Sequence, residues 1–494
     1  MTHIRFAPLV ATGLLAACAV GPDYKAPEAP AATAFRETPT PLQTESAPVQ
    51  AGDAQSFQVG AKIAADWWTI FGSPELNTLV QAAIAGQPTL AAAKAALRQA
   101  EENVNAQYAV LYPSVDASLA ARRQRISGAS FGNPSIPPTT FNLYNASVNV
   151  SYQIDVAGGA RRELEALKAG VDFQRFQVEA AYLALTANVA TTAFREASLR
   201  EQIRATREIA DAQDSQLGVA EKQFKIGAIS GSDLLAQRAQ AAQTRATLPP
   251  LEKQLGQTRN QLAVLIGKFP VDAKLPELDF SNFTLPQELP LSVPSELLRQ
   301  RPDVRQAEAI LRQANARIGV AEALMFPQLT LSGAYGNAAL SQGDLFQPGA
   351  LVWNIGANLL QPIFHAGQLR AQKRGAEAAY DQAFAQYQGA VLTAFQDVAD
   401  VLLALEYDAR TLKAQAEAEA ASRESLEVTR EQLKLGGASY LALLNAQRQY
   451  NLAKAALVQA QAARYADTAA LFQALGGGWW NREQATATAA TRSD

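Results

Sequence analysis

The chain has one cysteine, two histidines and two methionines in 494 residues. With Cys18 alone, no intrachain disulfide can form and no cysteine cluster can hold a metal. His3 and His365 alone exclude a histidine-rich metal site and a two-histidine proton relay. Charge of one sign is lacking too: 43 Lys and Arg against 46 Asp and Glu leave −3, which argues against nucleic acid as a partner. Aromatics are 7% and charged residues 18% of the chain, a composition suited to alanine-rich helices that pack closely. After the first twenty residues no window reads as a transmembrane helix. Membrane contact is therefore expected through a β-barrel, a lipid or an amphipathic surface. No constellation of polar side chains converges as an enzyme site requires.

Proline is absent from Ala160 to Lys225, and glycine occurs there only as Gly170 and Gly218. One helix over that stretch would be about 100 Å long, far beyond an ordinary core helix. Phe173, Phe176, Ala180, Leu183, Ala187, Ala190 and Phe194 keep a 3-4-3-4 spacing, the mark of a coiled-coil seam. A second rod is expected from about Leu369, with its own stripe at Phe384, Tyr387, Val391, Phe395, Val398, Leu402 and Leu405. These aromatics read as seam packing, not as a ligand box. Returning helices are expected at about Ser232–Ile266 and Tyr440–Leu475. Pro249-Pro250 should break or kink the first.

The two rods belong to a duplication. Leu97-Arg98-Gln99-Ala100 recurs as Leu311-Arg312-Gln313-Ala314, with Pro88 and Pro113 matching Pro302 and Pro327, all offset by 214. Asn149, Ala157, Gly158 and Arg161 match Asn358, Ala366, Gly367 and Arg370 at 209, an offset the rod ends keep. Each half reads helix, strand, loop, strand, long helix, tip, returning helix. The first short helix is expected over about 75–110, from the start signal Ser73-Pro74-Glu75. Strands are expected near 114–125, 144–156, 328–337 and 351–364, with turn-rich external loops at 127–141 and 338–349. In Asn145–Asp155 the residues Ala146, Val148, Val150, Tyr152 and Ile154 face one way, and Asn145, Ser147, Asn149, Ser151, Gln153 and Asp155 the other. This suits a strand between lipid and a wet lumen, or a soluble sheet with one solvated face. Four strands close no barrel, and an open edge cannot face lipid. If the strands are in the membrane, several copies must share one barrel.

Residues 1–17 look like a secretory signal, and Leu15-Ala16-Ala17-Cys18 resembles the bacterial lipobox. In that pattern Cys18 becomes the lipid-modified first residue. Ala19 stands where an aspartate would mark inner-membrane retention. Val20-Gly21-Pro22-Asp23-Tyr24-Lys25-Ala26-Pro27 follows, and here the chain resembles the lipidated outer membrane factors, the TolC-like, OprM-like (NodT-type) exit ducts of efflux pumps and secretion systems.

The resemblance implies a mainly α fold with a transmembrane β portion. A homotrimer would share a twelve-stranded barrel, four strands per chain, above a long coiled-coil helical barrel in the periplasm. The layout is a signal peptide (1–17), a lipidated strap (18–60), a first repeat (61–267), an equatorial linker (268–294), a second repeat (295–476) and an equatorial tail (477–494). The resemblance also implies a passive duct in the outer membrane. It would serve a periplasmic adaptor and an inner-membrane pump of the RND type, with no cofactor beyond the covalent lipid on Cys18. Gly227, Ala228, Ser230, Gly436, Gly437 and Ser439 match the family's adaptor-docking tips; glycine capping is the alternative for Gly227 and Gly436. Asp233, Ala442 and Asn445 stand where the family places a periplasmic gate. Asp233 is either a pore acid or an early-helix carboxylate, and the second tip lacks the typical acids. The alternatives are an exit duct for ABC-driven protein secretion and a lipid-anchored structural coiled coil without a pore. The coiled coil predicts no alternating strands.

Overall fold

The computed structural model describes residues 19–32 and 34–482. In chain order its elements begin with β1 (Ser56–Val59), α1 (Pro74–Gly86), α2 (Pro88–Ala109), β2 (Ser114–Ile126), β3 (Thr139–Ile154), α3 (Gly159–Lys225) and α4 (Gly231–Leu265). Then come β4 (Glu288–Leu291), α5 (Pro294–Gln300), α6 (Pro302–Ala323), β5 (Gln328–Ala339), β6 (Leu351–Leu360), α7 (Gln368–Lys434) and α8 (Tyr440–Ala474). The duplication shows in the lengths: α2 and α6 have 22 residues each, α3 and α7 67, α4 and α8 35. The expected signal peptide and Cys18 lie outside the described residues.

Several expectations are corrected. The helix expected over 75–110 is two helices. Gln87 between them is extended (φ −74°, ψ 118°), because the ring of Pro88 disfavours helical backbone in the residue before it. Of the break or kink expected at Pro249-Pro250, the break does not occur: α4 runs on to Leu265. The two missing N–H groups deprive the carbonyls of Arg245 and Ala246 of their usual donors. That cost is bearable because Ala246 and Pro250 border an open groove of about 650 Å³, where water can take the place of the donors. β3 starts earlier than expected, since Thr139–Phe141 pair with Gln124–Ile126, and β6 stops before Pro362, which has no N–H for a ladder. Finally, one stretch of α7 is apolar enough and long enough to cross a membrane by length and composition, contrary to the reading of the sequence. Its alanines and leucines enrich the helix all round, beyond the seam itself.

The described residues fall into two compact units, and α3 and α7 contribute to both. One unit comprises Ala96–Arg175 and Gln306–Gln388 with the segment up to Pro27. Its centre is an antiparallel sheet in the order β2-β3-β5-β6. The other comprises Glu28–Ala95, Phe176–Arg305 and the described residues from Gly389 onward. There the seam residues Phe176, Leu183, Ala187, Ala190 and Phe194 of α3, and Val391, Val398, Leu402 and Leu405 of α7, are buried. Phe173 and Ala180, at the same spacing, are half-buried.

The core of the second unit is aromatic. The Phe194 ring lies 4.8 Å from Phe71, 5.0 Å from Phe283 and 5.3 Å from Tyr465 between centroids, and Trp67 stacks on Phe472 at 5.4 Å. Truncating one such ring costs about 3–5 kcal/mol. The strap is stitched to this core: Arg36 pairs with Glu406 at 3.1 Å, Gln55 donates to the Thr468 hydroxyl at 3.0 Å, and β1 pairs in parallel with β4. Arg464 is buried and donates to the carbonyls of Leu405 and Asp53. Burial pulls its guanidinium down to about 10. Burial also pushes the Asp467 carboxyl up to about 8, aided by a hydrogen bond and like charge from Asp408 and opposed by Arg464. The Gly476-Gly477-Gly478 run turns the chain after α8 with positive φ at all three residues.

Candidate functional site: a two-faced sheet and two capped tips

The register of the sheet decides what each face presents. Val148 stands between Ala117 and Tyr335, which in turn pairs with Trp353; Val150 stands between Val115 and Gly333, next to Ile355. Tyr152 meets Leu331 and Ile154 meets Leu329, next to Ala357 and Leu359. Because paired residues share a face, most apolar residues of the four strands merge into one band; Asn337, beside Ala146, is the polar residue within it, and Val352 and Leu360 lie on the opposite face. Leu119, Tyr335, Trp353 and Ile355 are 63–83% exposed there. From Tyr144 to Ile154 the band runs about 34 Å along β3, or about 25 Å at a tilt of 35–45°, the height of the apolar belt of an outer-membrane barrel.

The opposite face is polar and bonded within itself. Ser118 and Ser147 hydroxyls are 2.9 Å apart, and Asn149 donates to Ser118 at 3.1 Å. Within this sheet β2 and β6 are the edges, and every residue of β6 is exposed. In hydrocarbon each unpaired backbone group of such an edge costs several kcal/mol.

The tips are built twice from the same parts. Gly227 N–H donates to Phe224 and Ala228 N–H to Gln223, at 3.0 and 2.8 Å; Gly436 donates to Leu433 and Gly437 to Gln432, at 3.1 and 2.8 Å. Both are Schellman caps with glycine left-handed, at φ 74° and 76°. Ser230 and Ser439 then cap the returning helices, their hydroxyls accepting from the N–H of Asp233 and Ala442 at 3.1 Å each. The six tip residues therefore have local work to do. What the tips hold outward are Ile226 and Leu435, 80% and 87% exposed.

Of the three gate positions, Asp233 is tied back to its own cap, accepting from the Ser230 hydroxyl at 2.7 Å. Ala442 and Asn445 are exposed on α8. Near the tips the structure instead joins α8 to α3 through two neutral pairs, and farther along Lys454 pairs with Glu201 at 3.9 Å. Tyr440 donates its hydroxyl to Gln223, and the Gln447 amide donates to Gln216. Burial first, then the charge of Asp233, raises the Tyr440 phenol, against the lowering effect of Gln223. Reading the sequence missed these pairs because their members are 217 and 231 residues apart. The only local signal is that Gln223 also supplies a cap carbonyl. Among the described residues no group of three or more His, Cys, Asp or Glu is arranged to hold a metal.

A sheet with one lipid-compatible face, one polar face and two open edges, in a chain that also has duplicated helical hairpins, is the architecture of an outer-membrane channel subunit. The pore-less coiled coil, which predicts that alternating strands are absent, is set aside. The chain belongs to the outer membrane efflux protein family, whose sequence profile matches residues 79–268 and 293–477, one segment for each half of the duplication. It is 34% identical over 459 residues to the pyoverdine export outer membrane protein OpmQ of Pseudomonas aeruginosa, covering 91% of this chain and 95% of that one. It is 29% identical over 488 residues to the antibiotic efflux pump outer membrane protein ArpC of Pseudomonas putida, covering 98% and 97%. The structure of the outer-membrane channel OprN superposes with a TM-score of 0.83 at 26% identity, covering 94% of this chain and all of that one.

Proposed function

We propose that three copies of this chain close their sheets into one twelve-stranded barrel and act as the passive outer-membrane duct of a tripartite efflux system. The observation that carries this reading is the apolar band bounded by two unpaired edges. Among the described residues β2 and β6 are the two edges of this sheet, and pairing β6 of one copy with β2 of the next would remove both from the lipid. The 67-residue helices α3 and α7 supply the reach needed to cross the periplasm. An adaptor would dock on the tips through Ile226 and Leu435, held out by the caps at Gly227, Ala228, Ser230, Gly436, Gly437 and Ser439, and an RND-type pump would supply the cargo. Relatives that export pyoverdine or antibiotics support small molecules as that cargo. The Tyr440–Gln223 and Gln447–Gln216 pairs would hold the periplasmic end shut. Cys18 would carry the lipid, a second anchor and not the main one, since one acylated terminus binds only one leaflet.

The test is the mass of the unboiled, detergent-extracted particle, together with its conductance in a planar bilayer. A particle of three chains that conducts is expected. A monomer would overturn the shared barrel.

A further inference from the structure

The residues that follow Cys18 do not trail away from the body of the chain. Val20 N–H donates to the Ala157 carbonyl at 3.0 Å, just past the end of β3. Arg162, near the start of α3 and 5% exposed, donates to the Val20 carbonyl at 3.0 Å, the Gly21 carbonyl at 3.1 Å and the Asp23 carboxylate at 2.9 Å. Its remaining nitrogen is held by Glu165 at 2.8 Å. From α6, Asn315 donates to the Pro22 carbonyl at 2.9 Å, Glu308 accepts from the Tyr24 hydroxyl at 3.4 Å, and Arg312 lies over the Tyr24 ring at 6.0 Å.

Glycine makes the approach possible. Gly21 has φ +93°, and a Cβ on it would come within 2.4 Å of the Gly319 Cα; a Cβ on Gly158 would come within 2.6 Å of Ala19. Beside this groove a cavity of about 190 Å³ is lined by Val110, Ile154, Val156, Ala157, Val320 and Leu324 among others.

The duplication supplies an internal control. At the matching offsets the second repeat keeps Gly367 for Gly158 and Arg370 for Arg161. Arg162 is replaced by Ala371, and Gly319 and Asn315 align with Asn105 and Glu101. The turn was copied, and the groove exists once per chain. Arg162, Asn315 and Gly319 are therefore not needed to turn a strand into a rod.

We propose that Arg162, Asn315, Gly158 and Gly319 form a dedicated binding site for the chain's own amino-terminal peptide Ala19–Tyr24, and that its occupancy fixes where the lipid enters the membrane. Residue 18 directly precedes Ala19, one peptide unit of about 3.8 Å away. A lipid on that residue would then start beside the mixed cavity just past β3, which Ile154 and Val156 line together with Gln153 and Asp155. The lipid clause rests on the proposed lipidation of Cys18; the peptide site does not.

The test places a photo-crosslinking residue at Ala19 in full-length chain assembled in outer membranes. Wild type should be captured by the segments around Ala157–Gly159 and Gly319–Leu324, and trypsin should cut slowly after Lys25. Arg162→Ala should lower capture and speed that cut at least tenfold with the trimer retained, and Arg162→Lys should fall between. Should Arg162→Ala fail to assemble, Gly21→Val decides the matter, because it changes only the peptide and its side chain cannot clear Gly319. Capture that is unchanged in Gly21→Val, or that lands elsewhere in wild type, overturns the site. Incorporation of a labelled fatty acid is read in parallel. Its absence from wild type overturns the lipid reading and leaves the crosslinks to judge the peptide site.

Discussion

Arginine placed at Val148 or Val150 tests the assignment of the sheet's faces most directly. Both residues flank the midpoint of the band from Tyr144 to Ile154, so a charge there would sit near the bilayer midplane. On the lipid face at that depth it costs about 2–4 kcal/mol per chain, or about 6–12 kcal/mol for a trimer that inserts as one unit. Arg at Asn149 points to the other face. There it gives up the bonds to Ser118 and Ser147, at 3.1 and 3.4 Å, worth about 1 kcal/mol each in a polar setting. The measurement is the amount of unboiled trimer in washed outer membranes, with total chain as the control. Val148→Arg and Val150→Arg should leave little or none, and Asn149→Arg should keep most of it. Equal loss from both sides would refute the assignment, and greater loss from Asn149→Arg would invert it.

Two further predictions concern the helical unit. Tyr440→Phe combined with Gln447→Ala removes two neutral bonds per chain, each worth about 1 kcal/mol, and should raise resting single-channel conductance several-fold. Wild-type closure should vary little from pH 5 to 8; closure that depends steeply on pH or salt would point to a charged gate instead. The second concerns Asp467. Its folded pKa of about 8 lies above the ordinary 3.8, so the folded chain holds this proton after the unfolded chain has lost it. Its stabilising effect is complete below about pH 4 and is lost as pH rises toward about 8. Asp467→Asn should flatten that slope and raise the melting temperature at pH 8; an unchanged slope would show that the carboxyl is ionised in the fold.

The sequence disclosed what periodicity and duplication encode. The rods, their seams, the returning helices and the alternation in β3 were legible because each repeats a local rule many times. Features set by single contacts between distant segments were not. Nothing near Tyr440 indicates Gln223, and nothing in the Val20–Tyr24 motif indicates that Arg162 holds its backbone. Proline acted differently at two places. Pro88 split a helix that looked continuous, whereas Pro249-Pro250 stay inside α4, where Ala246 and Pro250 line an open groove. The tip glycines were read as docking residues or caps. Their bonding establishes the caps, and it moves the docking proposal to the side chains the caps hold outward.

The unpaired edges of β2 and β6 also bear on inheritance. A subunit whose β6 cannot pair would still offer a sound β2 to its neighbour, and so would enter rings it cannot close. In a cell making both forms at random, intact ducts would fall as the cube of the normal fraction, so an edge mutation should act dominantly over the normal gene. A mutation that unfolds the whole chain removes only its own product and should be recessive.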